Sequence, residues 1–188
     1  MMLLLGALVS PVSHACRVPP RQQLVTPDEQ IAMATDISLA KVVSVNPSAT
    51  LAGGWRPSVD YAFQVQERLL GPNEQRFVLV GAQGETRPPP SSSDHSDEAF
   101  WQRGGGRLYN DPDCMLRPGF ILGEYYLVFR GPNATWRSFE HIRTVDGQPD
   151  AGDKWLSYVK AKLEGRPQRP PGAVTLPVQP ANRIGHRN

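Results

Sequence analysis

The residues with the most chemistry per unit length are Asp94, His95, Asp97 and Glu98, set beside Phe100 and Trp101. Three carboxylates and an imidazole within five positions could hold a divalent cation or pass a proton, the equipment of a metal-dependent hydrolase. The spacing matches no specific metal site, and the stretch follows Pro88–Ser93, a low-complexity run expected to be mobile. The alternative is a solvated loop. The aromatic pair then either anchors that loop to the body of the protein or exposes an adhesive patch. Asp111, Asp113 and Cys114 form a second acidic spot, but Asn110-Asp111-Pro112-Asp113 reads as turn chemistry. His141 lies between Glu140 and Ile142 on an expected strand and reads as a half-exposed strand histidine. Asn133-Ala134-Thr135 fits the glycosylation acceptor pattern, a triplet common by chance. The sequence has no Gly-x-Ser-x-Gly elbow, and Gly104-Gly105-Gly106 lacks the Lys-Ser/Thr of a phosphate loop. No catalytic residue, no metal ligand and no cofactor is assigned.

The elements that must position these residues follow from periodicity. Thr26-Pro27-Asp28-Glu29 supplies a cap, a proline at the first helical position and Glu three after the Thr. This starts a short helix reaching about Ala34. Ile37, Leu39, Val43 and Val45 sit mostly at period two and predict a strand with those four on one face. Val59, Tyr61, Phe63 and Val65 alternate with Asp60, Ala62, Gln64 and Gln66, the clearest strand in the chain. Leu69–Asn73 turns the chain. Phe77, Leu79 and Gly81 alternate with Val78 and Val80, which predicts a third strand buried on both faces or nearly so. A long irregular insertion spans 83–116, with a helical turn or two within Asp94–Gln102. Glu124–Phe129 and Ser138–Val145 are the last two strands. Asp150–Gly165 is an amphipathic helix with Trp155, Leu156, Val159 and Leu163 on one face. Strands at this spacing, without helices between them, make an antiparallel sandwich or small barrel.

Composition bounds the partners. The chain has 188 residues, 19 Pro, 17 Gly, two Cys and a net charge of +2, with basic residues spread rather than blocked. Nothing in that balance calls for nucleic acid or an anionic membrane. Residues 3–9 form a short apolar run, and Ser13 and Ala15 put small side chains at −3 and −1 before Cys16. Signal peptidase accepts that pattern, whereas a membrane span takes about 20 apolar residues. Residues 1–15 therefore read as a signal peptide, although Met1-Met2 brings no Lys or Arg ahead of the run. The chain is expected to be extracytoplasmic, periplasmic or secreted. Lipidation of Cys16 is an alternative, with Ser13 standing where a lipoprotein signal has an aliphatic residue. An even cysteine count in an exported chain suggests a disulfide between Cys16 and Cys114. Such a long loop is worth up to about 4–5 kcal/mol on the chain-entropy model. Residues 16–165 read as one domain, and 166–188 as a Pro/Arg-rich disordered tail.

These residues resemble a family. Cys16 is followed by Asp36-Ile37-Ser38-Leu39-Ala40-Lys41-Val42-Val43, then Tyr61-Ala62-Phe63-Gln64-Val65 and Leu69-Leu70-Gly71. Arg76–Val80, Cys114 and Gly123-Glu124-Tyr125-Tyr126-Leu127-Val128-Phe129 complete the series. It is similar to the netrin-like module, the fold shared with tissue inhibitors of metalloproteinases. The resemblance covers about residues 16–165 and implies an OB-like five-stranded antiparallel barrel with a short N-terminal helix, a long insertion loop and a C-terminal amphipathic helix. The inhibitors begin Cys-x-Cys and chelate the protease zinc through the terminal amine and first carbonyl. Here Val18 stands at the second cysteine position. The expected function is a non-enzymatic, monomeric binding module for an unidentified protein or envelope component. Contacts would come from Cys16, Arg17, Val18, Phe100 and Trp101, with no nucleic acid and a membrane only through a lipid on Cys16. A metal-dependent hydrolase built on Asp94/His95/Asp97/Glu98 and a structural envelope protein are the alternatives.

Overall fold

The computed structural model describes residues 25–48, 58–82, 94–102, 118–131 and 134–165. The proposed signal peptide, Cys16, Arg17, Val18, Cys114 and the C-terminal tail lie outside these. The described protein is mainly β, with one five-stranded antiparallel sheet and a few helices. In chain order it runs α1 (Pro27–Met33), β1 (Asp36–Pro47), β2 (Ser58–Leu70), β3 (Arg76–Ala82) and α2 (Glu98–Gln102). Then follow β4 (Tyr125–Arg130), a 3-10 turn at Trp136–Ser138, β5 (Phe139–Ile142), β6 (Thr144–Val145), β7 (Gln148–Pro149) and α3 (Lys154–Glu164).

The start of α1 forms as its sequence requires. The Thr26 hydroxyl accepts from the Glu29 amide, and the Glu29 carboxylate accepts from the Thr26 amide at 2.8 Å. These two bonds satisfy donors that a helix start leaves open. The expected last strand, Ser138–Val145, is instead split in two. β5 pairs with β4, and β6 turns at Asp146-Gly147 to pair with β7. Asp146 and Gly147 have φ of 51° and 77°, the left-handed pair that a two-residue hairpin needs.

The sheet order is β3-β2-β1-β4-β5, so β3 and β5 are its two edges. The expected closed barrel is not what forms: the two edges are not hydrogen bonded to each other. The segment Pro118–Phe120 crosses this side of the sheet instead. The Phe120 ring lies 5.0 Å from Tyr61 and 4.9 Å from Phe63 on β2, 5.0 Å from Tyr126 on β4 and 5.6 Å from Phe139 on β5. One side chain thus bridges the two halves of a curled sheet. The crossing is so tight that a Cβ on Gly81 would collide with the Pro118 carbonyl oxygen, which explains a glycine inside an apolar strand.

Both faces of the sheet carry a core. On one, Ile37 and Leu39 of β1 and Tyr125, Leu127 and Phe129 of β4 pack under Ile31 of α1, Phe100 of α2 and Trp155, Leu156 and Val159 of α3. On the other, Ala40, Val42, Tyr61, Phe63, Phe77, Tyr126 and Val128 enclose Phe120. The four β1 residues expected on one face do not stay together. A register shift between Val42 and Ser44 leaves Val43 at a bulge, so Val42 is buried while Val43 and Val45 are exposed.

Phe120 ties β2, β4 and β5 in one cluster, so its loss is expected to be costly. Phe120→Ala should lower stability by about 3 kcal/mol or more in denaturant titration; a change under about 1 kcal/mol would show that the bridge is not structural.

Candidate functional site

The acidic segment is organised by its own backbone. The Asp94 carboxylate accepts from the Ser96 amide at 3.0 Å, and hydrogen bonds from Ser96 hold its pKa below the ordinary value. The Asp97 carboxylate accepts from Ala99 at 2.9 Å at the start of α2. Glu98 accepts from Gln102 one turn on, at 2.6 Å. These are the local bonds that short acidic side chains make at turns and caps. The four residues do not converge on one point, and among the described residues no group of three or more His, Cys, Asp or Glu is arranged to hold a metal.

His95 parts company with its neighbours. It adopts φ of 58°, a conformation uncommon for a residue with a Cβ, and is 5% exposed. Its Nδ1 lies 2.6 Å from Oδ2 of Asp153. The other oxygen of Asp153 accepts from the Leu156 amide at 2.9 Å and so caps α3. The His95 carbonyl accepts from the Trp101 indole at 2.8 Å, and the Asp94 carbonyl from the Lys154 amide at 2.9 Å. The buried His–Asp pair therefore pins the segment before α2 onto the first turn of α3.

Phe100 and Trp101 complete that junction. The Phe100 ring stands 4.5 Å from His95 and 5.9 Å from Trp155, and the Trp101 ring 5.2 Å from Tyr158. The guanidinium of Arg137, itself buried, lies 4.4 Å over Phe100 and donates to its carbonyl at 3.0 Å. Of the two readings the aromatic pair allowed, anchoring is the one realised. Phe100 is a core residue, and only Trp101 is partly open to solvent. Asp153 and Arg137 carried no signal in the neighbourhood of His95, because both reach it from distant parts of the chain. The one available cue was that an Asp directly before an amphipathic run is a helix cap.

Two further polar groups lie at the ends of the second core. Asp36, at the start of β1, pairs with Arg68 of β2 and with Arg130 of β4, and Arg130 also reaches Glu74 at 2.5 Å. The Arg130 guanidinium lies 4.3 Å over Phe77, closing this end with paired charges. Near the opposite end, His141 Nε2 is 3.0 Å from Glu124, and the Tyr126 hydroxyl accepts from the Ile121 amide at 3.0 Å. Burial pushes the Tyr126 phenol up to about 12. His141 is half-buried, as its strand position suggested.

The open surface lies elsewhere. β3 was expected to be buried on both faces, yet Val78 is 58% and Val80 is 45% exposed. The reason is position: β3 is an edge strand, and the helices cover the β4 side of the sheet. Next to these valines the register sets Ala62 and Asp60 of β2, and beyond Ala62 comes Ser44 of β1. The result is a low surface with two branched apolar side chains at its rim. No helix among the described residues is long and apolar enough to cross a membrane.

The chain matches no protein-family model, no curated protein and no solved structure.

Removing the His95 imidazole takes a buried hydrogen-bond partner from the Asp153 carboxylate, a change that typically costs about 1–3 kcal/mol. His95→Ala should therefore unfold at markedly lower denaturant concentration than the parent protein, and an unchanged midpoint would refute the anchoring role.

Proposed function

We propose that this chain is an exported, non-enzymatic binding module that holds a protein or envelope component against the β3 side of its sheet. The observation that carries this reading is the pair of solvent-facing valines, Val78 and Val80, on a strand whose outer edge is taken by no described strand. An apolar row along an open edge is a standing site for another chain, because backbone hydrogen bonds supply affinity and alternate side chains supply selectivity. The residues best suited to chemistry point the same way. Asp94, Asp97 and Glu98 cap turns and a short helix, and His95 secures α2 to α3.

The resemblance to netrin-like modules agrees with this reading. Export is the reading of residues 1–15. It places the module outside the cytoplasm, with Cys16 at or near its mature end and paired with Cys114. Inhibition of a metalloprotease is not part of the proposal, because Val18 removes the second cysteine of the Cys-x-Cys start.

A photo-crosslinking amino acid at position 80, expressed in cells that export the chain, should yield a discrete adduct heavier than the monomer. The same residue at position 162, exposed on α3, should not. Equal labelling at both positions, or none at position 80, would contradict the reading. Stoichiometric divalent metal in the purified protein that is lost in His95→Ala would favour the hydrolase instead.

A further inference from the structure

We propose that the outer edge of β3 pairs, antiparallel and centred on Leu79, with the same strand of a second copy of this chain. This rests on the binding reading above and names the partner. The argument begins with symmetry. A two-fold axis through Leu79 sets Val78 opposite the second copy's Val80, and Val80 opposite its Val78. The two exposed apolar side chains of each copy are then covered by the pair on the other. The arrangement is isologous, the commonest form of soluble assembly.

Charge agrees with this register. Arg76 is the only charged residue of β3, and antiparallel pairing about Leu79 places it opposite Ala82. No like charges meet across the strands. A parallel, in-register pairing would instead set Arg76 against Arg76, at a cost. The two sheet edges also differ in kind. β5 has four residues and carries Glu140 and His141, features that blunt an edge. β3 has seven residues, and from Phe77 to Ala82 it holds no charge and no proline. On the inner side, Val78 lies opposite the small Ala62 and Val80 opposite Asp60 of β2, so no bulky side chain of β2 flanks the two valines. The product is a continuous ten-stranded sheet built from two copies of β3-β2-β1-β4-β5.

The test uses the purified full chain in sedimentation experiments from about 1 µM to about 100 µM. The wild type should pass from monomer to dimer over this range. Val78→Lys with Val80→Lys sets one ammonium against another twice across the axis and should weaken the dimer about 100-fold or more. Val78→Glu with Val80→Lys sets a carboxylate against an ammonium twice, with the new ammonium also beside Asp60. It should keep the dimer constant within about tenfold of wild type, and make it salt-sensitive. Both variants change exposed positions only, so each should keep the parent's circular dichroism and melting midpoint. A wild type that stays monomeric throughout would overturn the dimer, as would a double-lysine variant that dimerises like wild type. A monomeric chain that dimerises only after removal of residues 166–188 would also overturn it, by assigning the edge to the tail. If the dimer fails but the position-80 adduct with another protein forms, the binding reading stands without this partner. If neither forms, both fall.

Discussion

Backbone amides and carbonyls must find partners, and in this sheet the supply of described strands ends at β3. Its inner edge is bonded to β2 over seven register positions, from Ser58 opposite Ala82 to Gln64 opposite Arg76. Its outer edge meets no described strand. That constraint gives the rest of the surface its meaning. On the β4 side, three helices cover one face of the sheet and bury aromatic and aliphatic side chains there. On the β3 side, the same face carries Val78 and Val80 in the open. The sheet is covered in one half and available in the other.

The central strand makes this division possible. β1 pairs with β2 on one side and β4 on the other, and its residues alternate into two separate cores. Ile37 and Leu39 enter the helix-covered core, while Ala40 and Val42 enter the one plugged by Phe120. The bulge after Val42 then turns the strand's last third outward. Charged and polar pairs close the margins. Asp36 is held by Arg68 and Arg130 at one end of the second core, and the His95–Asp153 contact locks α2 to α3 over the first. Buried ion pairs such as those of Asp36 serve geometry more than net stability, since desolvation offsets most of their attraction.

Much of this was legible in the residues. The capping box at Thr26–Glu29, the alternation of Val59 to Val65 and the apolar face of α3 each encode a local structure through contacts a few positions apart. Long-range choices were not. The run Phe77–Gly81 reads as a strand buried on both sides, but whether a strand is central or an edge depends on which partners it finds. Ile37 to Val45 reads as one period, and the bulge that breaks it appears only against the register of β2. His95 looked like a member of an acidic cluster because its neighbours in sequence are carboxylates. Its partner is Asp153, brought there by the packing of α3. Likewise, the turn chemistry of Asp146-Gly147 marks a hairpin, yet the sequence ran a single strand through Val145.

The central claim is that the outer edge of β3 is open in the single chain and becomes paired when another chain arrives. Amide hydrogen exchange along Phe77–Ala82, followed from dilute to concentrated protein, reads this directly. Amides bonded to β2 should be protected at every concentration, while those facing outward should exchange fast when dilute and slow as concentration rises. Outward amides equally protected at every dilution would show that the chain covers this edge itself, and the account would be wrong.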